Sequence, residues 1–302
     1  HDALQEAPLR GTVNEQELRE GAQMRAARWS LDDRDASAAL ERLAALPQGA
    51  ARRTLALRIK LKATRQARQT REALDTARLL GKHRAFSAGA AQSIVRGLAT
   101  ELIQSAHDPV QLVQIWASLE NTERNMPELA VQAAQRLAHL GGDPAQVRAW
   151  LLPVWERMVE LPDGLPEGLA LKLIHCLEDG LSTIDAGWLA RIEAAQQANP
   201  RDARLQYLAG MACLKRQLWG KAQQLLTQAA SQLTDKTLRA SAWRNLAELA
   251  EQRGDSEAAA HAWKSAAQAP TARCGPRTIF TANTTGVSSA AKNCSHQVSS
   301  TR

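Results

Sequence analysis

Aromatic side chains are scarce in this sequence. Tyr, Phe and Trp make up 4% of 302 residues, as one Tyr, two Phe and eight Trp. No period-two run of Val, Ile and aromatics appears either, which argues against any substantial sheet. The core must then be built from alanine and leucine, which suits closely apposed helices. Cysteine is equally thin: Cys176, Cys213, Cys274 and Cys294 show no spacing used for zinc or a redox pair, which fits a reduced compartment. No run approaches the roughly 18 apolar residues of a membrane-spanning helix. No signal-peptide pattern precedes His1, so the chain as given reads as soluble.

Catalytic signatures are missing as well. There is no G-x-G-x-x-G, no G-x-x-x-x-G-K-[ST] and no His-Glu-x-x-His. The acidic residues form no pair distinguishable from ordinary helix surface. The expectation is a protein without catalytic residues, metal ligands or a bound cofactor. What the chain does have is a hydrophobic fraction of 44% and a formal charge of +7, with a pI near 9.6. That balance permits acidic partners such as nucleic acid, anionic lipid or carboxylate-rich ligands without choosing among them.

The clearest internal order lies between Ala203 and Ala269, which reads as two copies of one helix-turn-helix unit. Gly210 aligns with Ala247, Ala222 with Ala259, Leu226 with Trp263 and Ala229 with Ala266, each pair 37 residues apart. Small residues stand where two helices must touch. This is the tetratricopeptide pattern, whose usual period is about 34 residues. The fold expected is all-α, a tetratricopeptide-like helical-hairpin solenoid wound as a right-handed superhelix, in which each unit buries its face on its neighbours.

Residues 1–13, with Pro8 and Gly11, predict an irregular N-terminal lead-in, and residues 14–269 a single solenoid. Regular repeats are expected over about 20–87 and 203–269, with an irregular helical middle over 88–200. Asp32 is a candidate cap for a second helix carrying Ala36, Ala39, Leu40, Leu43 and Leu46, closed by Pro47 and Gly49. A second pair follows over about 51–66 and 70–82, with Ala73 lying 34 residues after Ala39. The middle predicts helices near 87–106, 109–119, 127–140, 144–160, 165–180 and 185–198. Their breaks are Asp108-Pro109, Gly141-Gly142-Asp143-Pro144, Pro162-Asp163-Gly164 and Asn199-Pro200. Residues 271–302 hold no acidic residue and no helical periodicity, and read as a disordered or artefactual tail.

The candidate binding surface is basic. Arg52, Arg53, Arg58, Lys60, Lys62, Arg65, Arg68 and Arg71 occur without one acidic residue among them. In the repeat register Arg58, Lys62 and Arg65 fall at one-turn spacings on the helix face that would line the concave surface. Such a face can hold carboxylates or phosphates, although a charge run more often only faces water. Nucleic acid is disfavoured, because no aromatic residues interleave with these charges to stack on bases. Trp116, Trp150, Trp155, Trp188, Trp219, Trp243 and Trp263 read as core packing. His175 and Cys176 are adjacent, diverge by about 100° on a helix and so cannot readily chelate one ion. They read as a satisfied histidine and a buried thiol.

Three stretches are more specific than the repeat pattern: Ala73–Ser87, Gly187–Gln196, and Leu205–Gly210 with Leu218–Ala222. They resemble the proteobacterial HemY proteins, over roughly residues 20–269. In that family two transmembrane helices precede helical repeats, and the proteins are associated with late haem biosynthesis at the inner membrane. The resemblance implies a non-enzymatic scaffold for haem-biosynthesis enzymes, with the repeats on the cytoplasmic face and the membrane helices outside this chain. It carries over no catalytic residue, and the tail from Thr271 departs from the family pattern. A flavin-dependent protoporphyrinogen oxidase that shares the name is set aside, because the dinucleotide fingerprint is missing. Two alternatives stay open: a direct tetrapyrrole-binding or transfer protein, and a general peptide-binding repeat unrelated to haem.

Overall fold

A computed structural model describes residues 3–161 and 164–268, with side chains from residue 15 onward. Sixteen α-helices and one 3-10 turn follow one another with no strand among the described residues. The first pairs are built from α1 (Ala3–Asp32), α2 (Ala36–Ala44), the single turn α3 (Gln48–Ala51), α4 (Thr54–Gln66) and α5 (Thr70–Lys82). The middle holds α6 (Ala88–Gln104), α7 (Pro109–Ser118), the short α8 (Asn121–Arg124), α9 (Pro127–His139), α10 (Pro144–Glu160), α11 (Glu167–Asp179), a 3-10 turn at Leu181–Thr183, and α12 (Ala186–Ala198). The last pairs are α13 (Ala203–Lys215) with α14 (Trp219–Gln232), and α15 (Lys236–Gln252) with α16 (Ser256–Gln268). The helices pack on their neighbours in chain order, the arrangement of a helical-hairpin solenoid.

Aspartate opens many of these helices. Asp35, Asp108, Asp143, Asp185, Asp202 and Asp235 each accept a hydrogen bond from a backbone N–H of the first turn, and Asp255 does the same for Ala258. Each satisfies a donor that the helix itself leaves unpaired. The closing turns are equally uniform. Arg34, Arg68, Arg84, Gln217, Gly141 and Gly254 sit two residues past a helix end with φ between 52° and 76°. The residue after each donates back to a carbonyl five positions earlier, as in Gln69 to Thr64 at 2.8 Å and Leu218 to Cys213 at 2.9 Å. This is the left-handed closure of a helix. Arg34 and Arg68 repeat at the 34-residue period, and Gln217 and Gly254 at the 37-residue one.

Two layers result in the middle of the array. The first helices of successive pairs, α6, α9, α11 and α13, pack side by side. The second helices are stitched by indoles: Trp116 of α7 stacks on Trp150 of α10 at 4.8 Å, and Trp155 of α10 meets Trp188 of α12 edge-on at 5.9 Å. Pro153 lies between the two α10 tryptophans. Such pairs contribute about 0.5–1.5 kcal/mol each beyond burial. A long-range pin ties α5 to α8, where Arg78 donates to both Glu123 carboxylate oxygens at 2.8 and 2.6 Å. Hydrogen bonding to Glu123 holds the Arg78 guanidinium above its ordinary pKa.

The apolar core divides at α4. Leu57 and Leu61 join the large cluster that runs on to Ala262, while Ala56, Ile59 and Ala63 close a smaller one around Met24, Ala39 and Leu43. The small-residue register of the last pairs is realised: Ala222, Leu226, Ala229 and Ala247 are fully buried.

Several expectations are corrected. The lead-in over 1–13 is helical from Ala3, although Pro8 lies beyond the first turn, where proline costs a helix a hydrogen bond. Asp35 rather than Asp32 caps α2, and Gly49 lies inside α3. Trp263, aligned with the fully buried Leu226, is 38% exposed. No described helix follows α16 to cover it, and its indole N–H donates to Glu251 at 2.7 Å. Trp219, at the start of α14, is likewise exposed. The tail over 271–302 lies outside the described residues.

Two substitutions of opposite sign check this packing. A Cβ on Gly210 would stand 2.9 Å from Leu226 Cγ, a buried branch point with no room to yield. Gly210→Ala should therefore lose about 1 kcal/mol in urea unfolding, overpacking outweighing the helix propensity that alanine gains. Gln217→Gly removes left-handed strain at an exposed turn, and the same measurement should show a gain of up to about 1 kcal/mol.

Candidate functional site

The basic run does not form one surface. Arg53 leaves it to pair with the buried Glu20 of α1 at 3.2 Å. Arg58 donates to the Ala85 carbonyl at 2.7 Å, with its guanidinium carbon 5.5 Å from the Phe86 ring centroid. It thus fastens α4 to the connection between α5 and α6. Arg68 occupies a left-handed turn. Arg52 and Lys60 line a different cleft, of about 610 Å³, between α2, α4 and α5. Arg58, Lys62 and Arg65 are all exposed along one face of α4, and none of them lines a described cleft.

The larger opening lies on the first-helix layer. A cleft of about 890 Å³ is bounded by α6, α9, the start of α10, α11 and the 3-10 turn. Gln104, Gln132 and Gln135 supply side-chain amides, Arg136 and Arg148 guanidinium groups, and His139 and His175 imidazoles. A second opening of about 520 Å³ shares Gln132 and Gln135 with it and continues towards Thr100, Arg96 and Lys172. Together they make a groove along α6, α9 and α11. Its walls are fixed by polar contacts between helices: Thr100 donates to Gln132 at 3.0 Å, Arg96 faces Glu128 at 3.4 Å, and Arg136 caps the end of α6 through the Ala106 carbonyl at 2.6 Å.

One end of the groove is anchored in a buried polar chain. Tyr207 of α13 donates to Glu178 of α11 at 2.7 Å and shares a second hydrogen bond with Ser241 of α15 at 2.8 Å. His175 lies half-buried on the groove side of Glu178, with Nδ1 3.7 Å from its other oxygen. The Glu178 carboxylate raises the His175 pKa, with burial opposing and the charges of Asp235 and Asp179 assisting. Next to it, burial pushes the Cys176 thiol up to about 12. That thiol stays protonated at neutral pH, a weak nucleophile and a weak metal ligand. Among the described residues no three His, Cys, Asp or Glu side chains converge to hold a metal ion, and no helix is long and apolar enough to cross a membrane.

Neither a protein-family model nor a curated protein matches this sequence.

Sequence reasoning picked out His175 and Cys176 but missed the groove. Its residues come from helices some 30 to 70 positions apart in the chain, and no motif spacing joins them. The nearest available signal was the cluster of glutamines on α9, at Gln132 and Gln135.

A histidine whose folded-state pKa is raised contributes stability below its unfolded value of about 6.5 and loses it as pH rises through the folded value. Comparing urea midpoints of the parent chain and His175→Gln should show the larger gap at pH 5.5 and a shrinking one towards pH 8.5. A gap that grows with pH would contradict the His175–Glu178 pairing.

Proposed function

We propose that the chain is a non-enzymatic helical-repeat scaffold that holds protein partners, assembling haem-pathway enzymes at the inner membrane. The observation that carries the scaffold reading is the continuous open groove along α6, α9 and α11, lined by amides and cations on a layer of packed helices. Solenoids use such extended inner surfaces for partners. The haem-pathway assignment rests on the HemY-like stretches at 73–87, 187–196 and 205–222, and the membrane location on the same resemblance. Lys62 and Arg65 of α4, exposed and without an ion-pair partner among the described residues, extend the cationic surface towards the N-terminal end. Arg58 also holds a structural hydrogen bond, so Lys62 and Arg65 are the cleaner probes of that surface.

The tetrapyrrole alternative draws on His139 and His175 standing in one cleft with Arg136 and Arg148, a set suited to a ligand bearing carboxylates. Titration with haem separates the two. A saturable shift of the Soret band favours a tetrapyrrole carrier, and none favours the scaffold.

The scaffold is tested by mixing the full chain with purified terminal haem-pathway enzymes and measuring co-elution. A complex should form, and Lys62→Glu with Arg65→Glu should weaken it severalfold if α4 takes part. No complex with any such enzyme, together with normal tetrapyrrole levels in a deletion strain, would remove the haem-pathway reading.

A further inference from the structure

Arg148 is the only arginine or lysine among the described residues that is more than nine-tenths buried, at 7% exposure. Its donors are poorly satisfied. Nε is enclosed without a hydrogen-bond partner and is held only in a loose ion pair with Asp185 Oδ2 at 3.4 Å, and Nη1 reaches Thr183 Oγ1 only at 3.4 Å. Arg136 repeats the pattern, since its Nε is buried without a partner while Nη2 is used on Ala106. A buried guanidinium is costly unless its N–H groups are paired. Both side chains line the 890 Å³ cleft, where the one carboxylate is Asp179 and two further cationic or neutral groups are His139 and His175. Its lining is short of anions, Asp185 being the one further carboxylate that Arg148 meets.

Its remaining polar lining fits a peptide main chain. A glutamine side chain carries one carbonyl acceptor and an –NH2 donor, the same complement as a peptide group, and Gln104, Gln132 and Gln135 stand together in the cleft. The carbonyl of Gln132 is already engaged by the Thr100 hydroxyl, which leaves its –NH2 to donate. No Phe, Tyr or Trp lines either opening, so a base would find no ring to stack on. Crossing α6, α9 and α11 covers two interhelical steps of about 9 Å, the reach of about six extended residues.

The geometry points to this groove as a site for an acidic peptide in extended conformation, its carboxylates meeting Arg148 and Arg136 and its main chain pairing with Gln104, Gln132 and Gln135. The assignment rests on the scaffold reading above and names the chemistry of its partner. Arginine meets a carboxylate in bidentate geometry, here through the terminal nitrogens, since the Nε of both side chains is enclosed.

The test titrates the full chain with a fluorescein-labelled octapeptide of alternating Glu and Ala, and with its Gln-Ala counterpart, by anisotropy. The Glu peptide should bind about tenfold tighter or better, and Arg148→Gln and Arg136→Gln should each weaken it about tenfold or more. Because those variants remove structural contacts as well, the deciding pair is the half-buried Gln135. Gln135→Lys should tighten and Gln135→Glu weaken the Glu peptide, each by about two- to fivefold, with unchanged helical circular dichroism. Equal affinity for the two peptides, or no opposite response at Gln135, overturns the proposal. So does displacement of the peptide by a single-stranded oligothymidylate of higher affinity. Should an enzyme complex form that is indifferent to Gln135, the scaffold stands and the groove assignment falls. Should the octapeptide behave as described while no haem-pathway enzyme binds, the groove stands and the haem-pathway reading falls.

Discussion

A helical pair with one apolar face can bury it only on the pair that follows, and every other feature of this chain answers to that constraint. The core is continuous because each hairpin hands its face to the next, from Leu57 through to Ala262. It thins at α4, where the buried residues split between two faces. At the last described helix the same constraint leaves Trp263 exposed in a position that Leu226 fills completely one repeat earlier. Identical register does not guarantee identical burial where no described helix follows.

Helix limits were legible because the chain marks them chemically. Asp108-Pro109 and Asp143-Pro144 combine a cap with a proline at the first helical position, and α7 and α10 start there. The closing turns were harder to read, since Arg34, Arg68, Arg84 and Gln217 hold a left-handed conformation that glycine usually announces. The short α8 and the 3-10 turn were missed for a related reason: each is a single turn held by local bonds, such as Glu123 to the Glu120 N–H at 2.9 Å, and leaves no periodic signal.

The site was less legible than the fold. A run of like charges suggests one surface, yet its members are divided by partners that sequence spacing does not show. Arg53 answers a glutamate on α1 and Arg58 a carbonyl beyond α5. The groove has the converse character. Arg148 sits among the buried apolar residues Val147, Trp150 and Leu151 of α10, and its under-satisfied burial becomes visible only when α9, α10 and the turn after α11 are brought together. Amides and cations on separate helices acquire meaning through the stacking of first helices, which is the same constraint that builds the core.

The two layers of the middle repeats also differ in what joins their helices. On the second-helix side, stacked indoles of Trp116 with Trp150 and Trp155 with Trp188 are close-packed and admit no substitute. Across the first-helix side, contacts such as Thr100 with Gln132 and Arg96 with Glu128 are hydrogen bonds and ion pairs that water can replace at little cost. The two edges are therefore held by different chemistry, ring stacking on one and polar pairs over a buried apolar layer on the other. Salt screens the exposed Arg96–Glu128 pair on the groove edge and leaves the buried indoles untouched.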